Sequence, residues 1–170
     1  MPARYGLQAR LATVARPTDN AVMSTPRSTA PTRDSFAVFR PIGTRWMDDD
    51  AYGHANNVVY YSWFDTAVNG YLMDAVGTDI RQLPQIGVVA ESGCSYFSPV
   101  SFPQALEIGL AVERIGARSI RYRLGVFVAG SPVCAALGRF VHVYVDAVTR
   151  RSVPIPEAIR AAVTPICRPD

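Results

Sequence analysis

The sequence predicts an α+β domain in which an antiparallel sheet wraps around one long buried helix, and three observations carry that prediction. The stretch NNVVYYSWFDTAVNGYLMDAVG sets apolar residues at 60, 64, 67, 68, 71, 72 and 75, which is helical spacing. Four consecutive segments after it have strand character, with turn signals between them. No alternation of strand and helix is present, so the strands join as antiparallel neighbours and the helix covers their apolar face.

Residues 1–34 are expected to form a flexible N-terminal extension, because MSTPRSTAPTRDS is rich in Ser, Thr and Pro and nothing before it has a period. Its five arginines against two acids also fit a transit-like signal, and Met23 fits an alternative start. A single domain is predicted over 35–165, followed by a tail at 166–170. FAVFRPIGTRW reads as a strand to Trp46, with Pro41 marking an edge position or a bulge. The helix is predicted over about 57–76, with Gly77 as its stop. Val58, Val59, Tyr61 and Trp63 widen its apolar face, so burial on more than one side is expected.

The remaining strands are IGVVAESGCSYFSPV, ALEIGLAVERIG, SIRYRLGVFVAG and VCAALGRFVHVYVD. In the second of these, Leu106, Ile108, Leu110 and Val112 alternate with Glu107, Gly109, Ala111 and Glu113. In the third, Tyr122, Leu124 and Val126 alternate with Arg121 and Arg123. Such alternation predicts a sheet with one buried face. GARS and AGSP supply turns, and PEAIRAAV a short final helix.

Composition narrows the functional classes. All 17 basic residues are arginine, and the net charge of +3 is weak for a nucleic-acid binder. Cys94, Cys134 and Cys167 form no CxxC pair, and three is an odd number, which points to a reducing, cytoplasmic setting. No run of 18 apolar residues exists, so no membrane span is expected.

The polar run DDDAYGHANN, residues 48–57, is the most informative stretch. No G-x-S-x-G, P-loop or G-x-G-x-x-G is present. A calcium loop fails, since Tyr52 takes the fifth position and Val59 the twelfth. A metal held by Asp48, Asp50 and His54 lacks a recognised spacing, and none is expected. Two readings of the run remain. In one, the acids are solvated charges favoured by the helix dipole, and Asn56 or Asn57 only caps the helix. In the other, the free N–H groups of the helix start face a developing oxyanion, a neighbouring carboxylate serves as base or nucleophile, and His54 orients the loop.

RWMDDDAYGHANNVVYYSWFDTA resembles the signature of the 4-hydroxybenzoyl-CoA thioesterase-like hotdog proteins, in which D-x-D-x-x-G-H-x-N-N leads into the central helix. The resemblance runs on through YFSPVSF, ERIGARSI and VYVDAVTRRSVPIP, covering roughly residues 36 to 165. It implies a hotdog fold and an acyl-CoA thioesterase. The second acid of D-x-D, here Asp50, would be the catalytic carboxylate, with His54 beside it. The oxyanion donor would be a backbone amide near Asn57. Asp48, Asn56 and Tyr60 would meet the substrate, and Arg118, in the GARS turn, would meet coenzyme A. Coenzyme A is then part of the substrate and no separate cofactor is expected. A homodimer or dimer of dimers is implied, with no nucleic-acid or membrane partner. Asp49 departs from the pattern, since many members carry a neutral residue there, and so the register of the base needs a test.

The same residues also suit an acyl-carrier-protein thioesterase. A non-catalytic acyl-CoA-binding protein is disfavoured by the acid-His-Asn run, because a sensor needs no base. Elsewhere, Cys94 is expected to be a small core residue, His142 a satisfied sheet residue, and Glu91 a solvated or structural acid. Arg150 and Arg151 follow the last strand, exposed or meeting coenzyme A phosphates.

Overall fold

The computed structural model describes residues 29–168. In chain order the elements are β1 (Val38–Gly43), α1 (Asn57–Val76), β2 (Gln85–Tyr96), β3 (Ala105–Ile115), β4 (Ser119–Val128), β5 (Ala136–Asp146) and α2 (Glu157–Val163). The strands form one sheet in the order β1-β3-β4-β5-β2, and every neighbouring pair is antiparallel. This is the predicted architecture, a five-stranded sheet around a long helix.

Local signals fix the helix. The Asn56 side chain accepts the Val58 amide at its start, and Gly77 closes it with φ of 73° while donating its N–H to the Met73 carbonyl. Tyr60, Phe64, Ala67, Val68 and Leu72 point into the sheet, and Trp63 is buried beside them. Opposite them stand Leu106, Ile108, Leu110, Tyr122, Leu124, Val126 and Phe140, the inward-facing positions of β3, β4 and β5. Gly138 in β5 makes the close approach possible. A Cβ there would fall on the Phe64 ring, so the helix rests on bare backbone at its midpoint.

Three details differ from expectation. The first strand stops at Gly43 instead of Trp46, because Thr44 donates its hydroxyl to the Gln104 carbonyl and Trp46–Asp48 coils into a 3-10 turn. The outer face of the sheet is not bare either. Phe36, Phe127, Ala111 and Cys134 form a second small buried group there, with Phe36 lying over the glycine pair Gly109 and Gly125. Finally, the docked chain extends past both expected boundaries. Cys134 donates its amide to the Pro31 carbonyl and Arg33 pairs with Glu107, while at the other end Ile166 is buried and Arg168 donates its amide to the Val112 carbonyl. The rest of the expected extension, residues 1–28, lies outside the described residues.

β1 is an edge strand, as Pro41 predicts. β2 is the other edge, and along most of its length it is exposed. Among the described residues no helix is long and apolar enough to cross a membrane.

Candidate active site

The link from β1 to α1 gives its three adjacent acids three different tasks. Asp48 closes the 3-10 turn: its carboxylate accepts the Arg45 amide at 2.7 Å and the guanidinium at 2.8 and 3.0 Å. Its side chain is only 1% exposed, and its carbonyl accepts the Asn56 amide. Asp48, expected to meet the substrate, is enclosed in the turn and does not line the cavity that Asp50 faces. Asp49 turns the other way and accepts the Phe102 amide at 3.1 and 3.3 Å. That bond ties the link to the loop after β2.

Asp50 faces a cavity of about 520 Å³. Its own loop holds it there. Its amide donates to the His54 carbonyl, its carbonyl accepts the Gly53 amide, and Gly53 takes a φ of +83° that suits glycine. One carboxylate oxygen accepts the Tyr52 amide at 2.8 Å, and the side chain remains 20% exposed. His54 Nδ1 lies 3.6 Å from the other oxygen, too far for a hydrogen bond. The His54 ring stacks on Tyr52.

The first turn of α1 forms the facing wall, through Asn57 and Tyr60. Asn56 is the N-cap. Its side-chain oxygen accepts the Val58 amide at 3.1 Å, and Asn56, expected to meet the substrate, does not line the cavity. Capping Val58 leaves the Asn57 amide without a hydrogen-bond partner among the described residues, at the positive end of a 20-residue helix. Burial pushes the Tyr60 hydroxyl up to about 12, so it stays a donor. Tyr96, Phe97, Ser98 and Pro99, leaving β2, complete the lining. Tyr96 stands edge-on to Tyr60 at 5.0 Å and donates its hydroxyl to the Asn57 carbonyl at 3.4 Å. Sequence reasoning missed Tyr96 and Tyr52, although Tyr52 sits inside the signature and was assigned no role.

Arg118 is not brought to this cavity. It is exposed in the β3–β4 turn, whose carbonyl accepts the Tyr144 amide, whereas the cavity lies where Tyr96 pairs with Ala136. Ala136 and Tyr144 are about 26 Å apart along β5 at some 3.3 Å per residue. Arg150 and Arg151 also lie beyond the far end of β5. Glu91 is exposed on β2, outside the cavity. Cys94 packs against the core, and burial pushes its thiol up. Among the described residues, no group of three His, Cys, Asp or Glu is placed to hold a metal.

A carboxylate and an unbonded helix-start amide stand around one cavity, and the fold is that of the hotdog thioesterases. The chain belongs to the thioesterase-like superfamily, whose family model matches residues 44–163. It is 48% identical to the PA5185 protein of Pseudomonas aeruginosa strain PAO1, with 81% of this chain and 96% of that one covered and a TM-score of 0.79. The fold is also that of the BH1999 gentisyl-coenzyme A thioesterase, at 21% identity, 75% and 100% coverage and a TM-score of 0.66. The 1,4-dihydroxy-2-naphthoyl-CoA thioesterase Slr0204 of Synechocystis shares it too, at 14% identity, 74% and 93% coverage and a TM-score of 0.67. Among curated proteins none matches.

Proposed function

We propose that this protein hydrolyses an acyl-CoA thioester to the free acid and coenzyme A, with Asp50 as general base or nucleophile. The observation that carries this reading is the pairing of Asp50 with the unbonded Asn57 amide across one aromatic-lined cavity. The thioester carbonyl oxygen sits at the helix start, where the Asn57 N–H and the helix dipole stabilise the oxyanion as it forms. Asp50 takes a proton from the attacking water, or attacks the carbonyl itself to give a mixed anhydride that water then cleaves. The tetrahedral adduct collapses by breaking the C–S bond. The leaving thiol has a reference pKa of about 8.5, so it departs as thiolate without a strong general acid. No group beyond this carboxylate and the oxyanion donor is needed, and no cofactor enters the scheme. His54 and Tyr52 shape the loop that aims Asp50.

The working unit in this reading is a two-fold dimer joined through β2. That edge carries 12 residues, with Val89 45% exposed, and an open edge of this length calls for a partner strand. Antiparallel pairing sets the Gln85 end of one β2 towards the Tyr96 end of the other. The β3–β4 turn of a second copy, with its Arg118, is thereby carried towards the cavity that its own Arg118 cannot reach.

A panel of acyl-CoA thioesters, with thiol release as the readout, tests the activity, and Asp50→Asn tests the residue. That variant keeps the shape and removes the charge, so kcat is expected to fall by on the order of 10² or more with the fold intact. Wild-type turnover by Asp50→Asn would remove the assignment.

A further inference from the structure

We propose that the outer face of the sheet, the side away from α1, carries a second ligand site, which binds a diphosphate group. A cavity of about 380 Å³ lies there across β3, β4, β5 and β2. Alternation along the strands places its arginines. Arg121 and Arg123 alternate with the inward Tyr122 and Leu124 on β4, and Arg139 follows the inward Gly138 and precedes Phe140 on β5. The register partner of Arg139 on β2 is Gly93, where a Cβ would meet nothing within 4 Å, so the approach to Arg139 is open. No residue of the cavity around Asp50 lines this one.

The charges of the cavity do not balance. Three of its lining residues are arginines and one, Glu113, is an acid, which leaves two positive charges in excess. Arg123 donates its Nε–H to Glu113 at 2.9 Å, and the two side chains are only 23% and 14% exposed. Arg121 and Arg139 are exposed, and among the described residues neither makes a hydrogen bond or an ion pair. Arg139 stands directly opposite Arg123 in the β4–β5 register, and Arg121 directly opposite Arg114 in the β3–β4 register. Like charges directly opposite one another destabilise strand pairing. Glu91, opposite Val141 on this face, joins no ion pair among the described residues. Elsewhere on the same face the chain does pair its charges, as Arg33 does with Glu107. An anion set between the opposed arginines turns their repulsion into charge-assisted hydrogen bonds.

Spacing and charge select the ligand. Arg123 and Arg139 stand on strands about 4.8 Å apart, and Arg121 lies about 6.6 Å further along β4. A guanidinium fork matches the oxygens of a phosphate. One phosphate answers the Arg123–Arg139 pair, and a second joined to it extends towards Arg121. A monocarboxylate neutralises only one of the two excess charges. A second copy packed through the same face would set arginines against arginines, which is unfavourable. Residues 1–28 carry four arginines and one acid, so they too have the wrong sign. Pairing of two chains through β2 joins the sheets edge to edge and leaves this face uncovered.

Calorimetry on the full chain compares inorganic pyrophosphate, ADP and adenosine. Pyrophosphate and ADP are expected to bind, and adenosine to bind at least tenfold more weakly than ADP. Arg121→Gln and Arg139→Gln are each expected to weaken pyrophosphate about tenfold, the worth of one charged hydrogen-bonding partner. Each removes one member of an opposed pair, so neither is expected to lower the stability of the ligand-free protein. Amide shifts in NMR are expected around Gly93, Arg123 and Arg139. Tighter binding of ADP than of pyrophosphate marks a nucleotide as the source of the diphosphate, and the reverse order marks the free anion; either order supports the site. Wild-type affinity in both variants, adenosine binding as tightly as ADP, or shifts confined to Asp50 and Tyr96 would each overturn the assignment. So would a changed sedimenting mass in either variant, which would give the face to a contact between copies. The readout is binding, so the result stands apart from whether the thioester reading holds.

Discussion

Arg45 grips Asp48 through its backbone amide and both arms of its guanidinium, in the loop that also presents Asp50. The contact shifts the Arg45 guanidinium upwards, chiefly through the hydrogen bond and then through the charge of Asp48. Asp48→Asn leaves the Arg45 N–H groups facing an amide nitrogen or a weaker acceptor at a side chain that is 1% exposed. A stability loss of about 2 kcal/mol is expected in chemical denaturation. Turnover per folded molecule should change far less than in Asp50→Asn. If instead the Asp48 variant is the dead one with unaltered stability, the division of labour among the three acids is wrong.

Asp49→Ala removes the acceptor for the Phe102 amide and frees the loop that carries Tyr96–Pro99 into the cavity. The expected result is a raised KM with a smaller fall in kcat than Asp50→Asn gives. An Asp49→Asn variant with kcat as low as that expected for Asp50→Asn would move the base by one residue.

His142 makes stability depend on acidity. Burial lowers its pKa from 6.5 to about 4, against a smaller opposing influence from Asp65. The unfolded chain therefore takes up a proton below about pH 6.5 that the folded chain refuses until about pH 4. Stability from this residue is complete above pH 6.5 and is lost progressively as the pH falls through that window, by up to about 3 kcal/mol. Denaturation midpoints measured across the window should fall in wild type and stay flatter in His142→Phe. Parallel curves for the two proteins would contradict this account.

The thiol of Cys94 is pushed up by burial, with Tyr96 offsetting part of that rise, and a protonated thiol is a poor nucleophile. Cys94→Ala is expected to retain wild-type kcat, and iodoacetamide at pH 7 to label Cys94 slowly. Rapid labelling that abolishes turnover would restore a covalent role to it.

Both bounds of α1 were legible because they rest on local chemistry: Asn56 caps, Gly77 breaks, and the apolar spacing between them is helical. Pro41, which lacks an amide to donate, limited β1 to an edge position or a bulge, and the strand is at the edge. The three acids were harder. Side by side in sequence they are chemically alike, and only the 3-10 turn at Trp46–Asp48 decides which one is buried. Arg118 was tied to coenzyme A only by resemblance, and within one chain it lies at the other end of the sheet from Asp50, because spacing along the chain carries no information about which end a turn occupies. The inward direction of His142 could be read from its alternation with Phe140 and Tyr144. Its missing partner could not, since that depends on which side chains from other elements pack around the ring.

Phe64 seated on Gly138 is far from Asp50 in sequence, yet it governs what Asn57 can do. The helix is fastened to the sheet at its midpoint, so its first turn is aimed by a contact that never meets a substrate. Gly138→Ala would force the ring and the helix outward, and overpacking of this kind costs about 1–3 kcal/mol. The displacement would be felt most at the ends of the helix, and an amide proposed to bind an oxyanion has to be placed to within about 0.5 Å of its productive position. An inhibitor or a sequence change that loosens the middle of α1 would thus silence the enzyme without entering its cavity, and in an assay it would pass for an active-site defect.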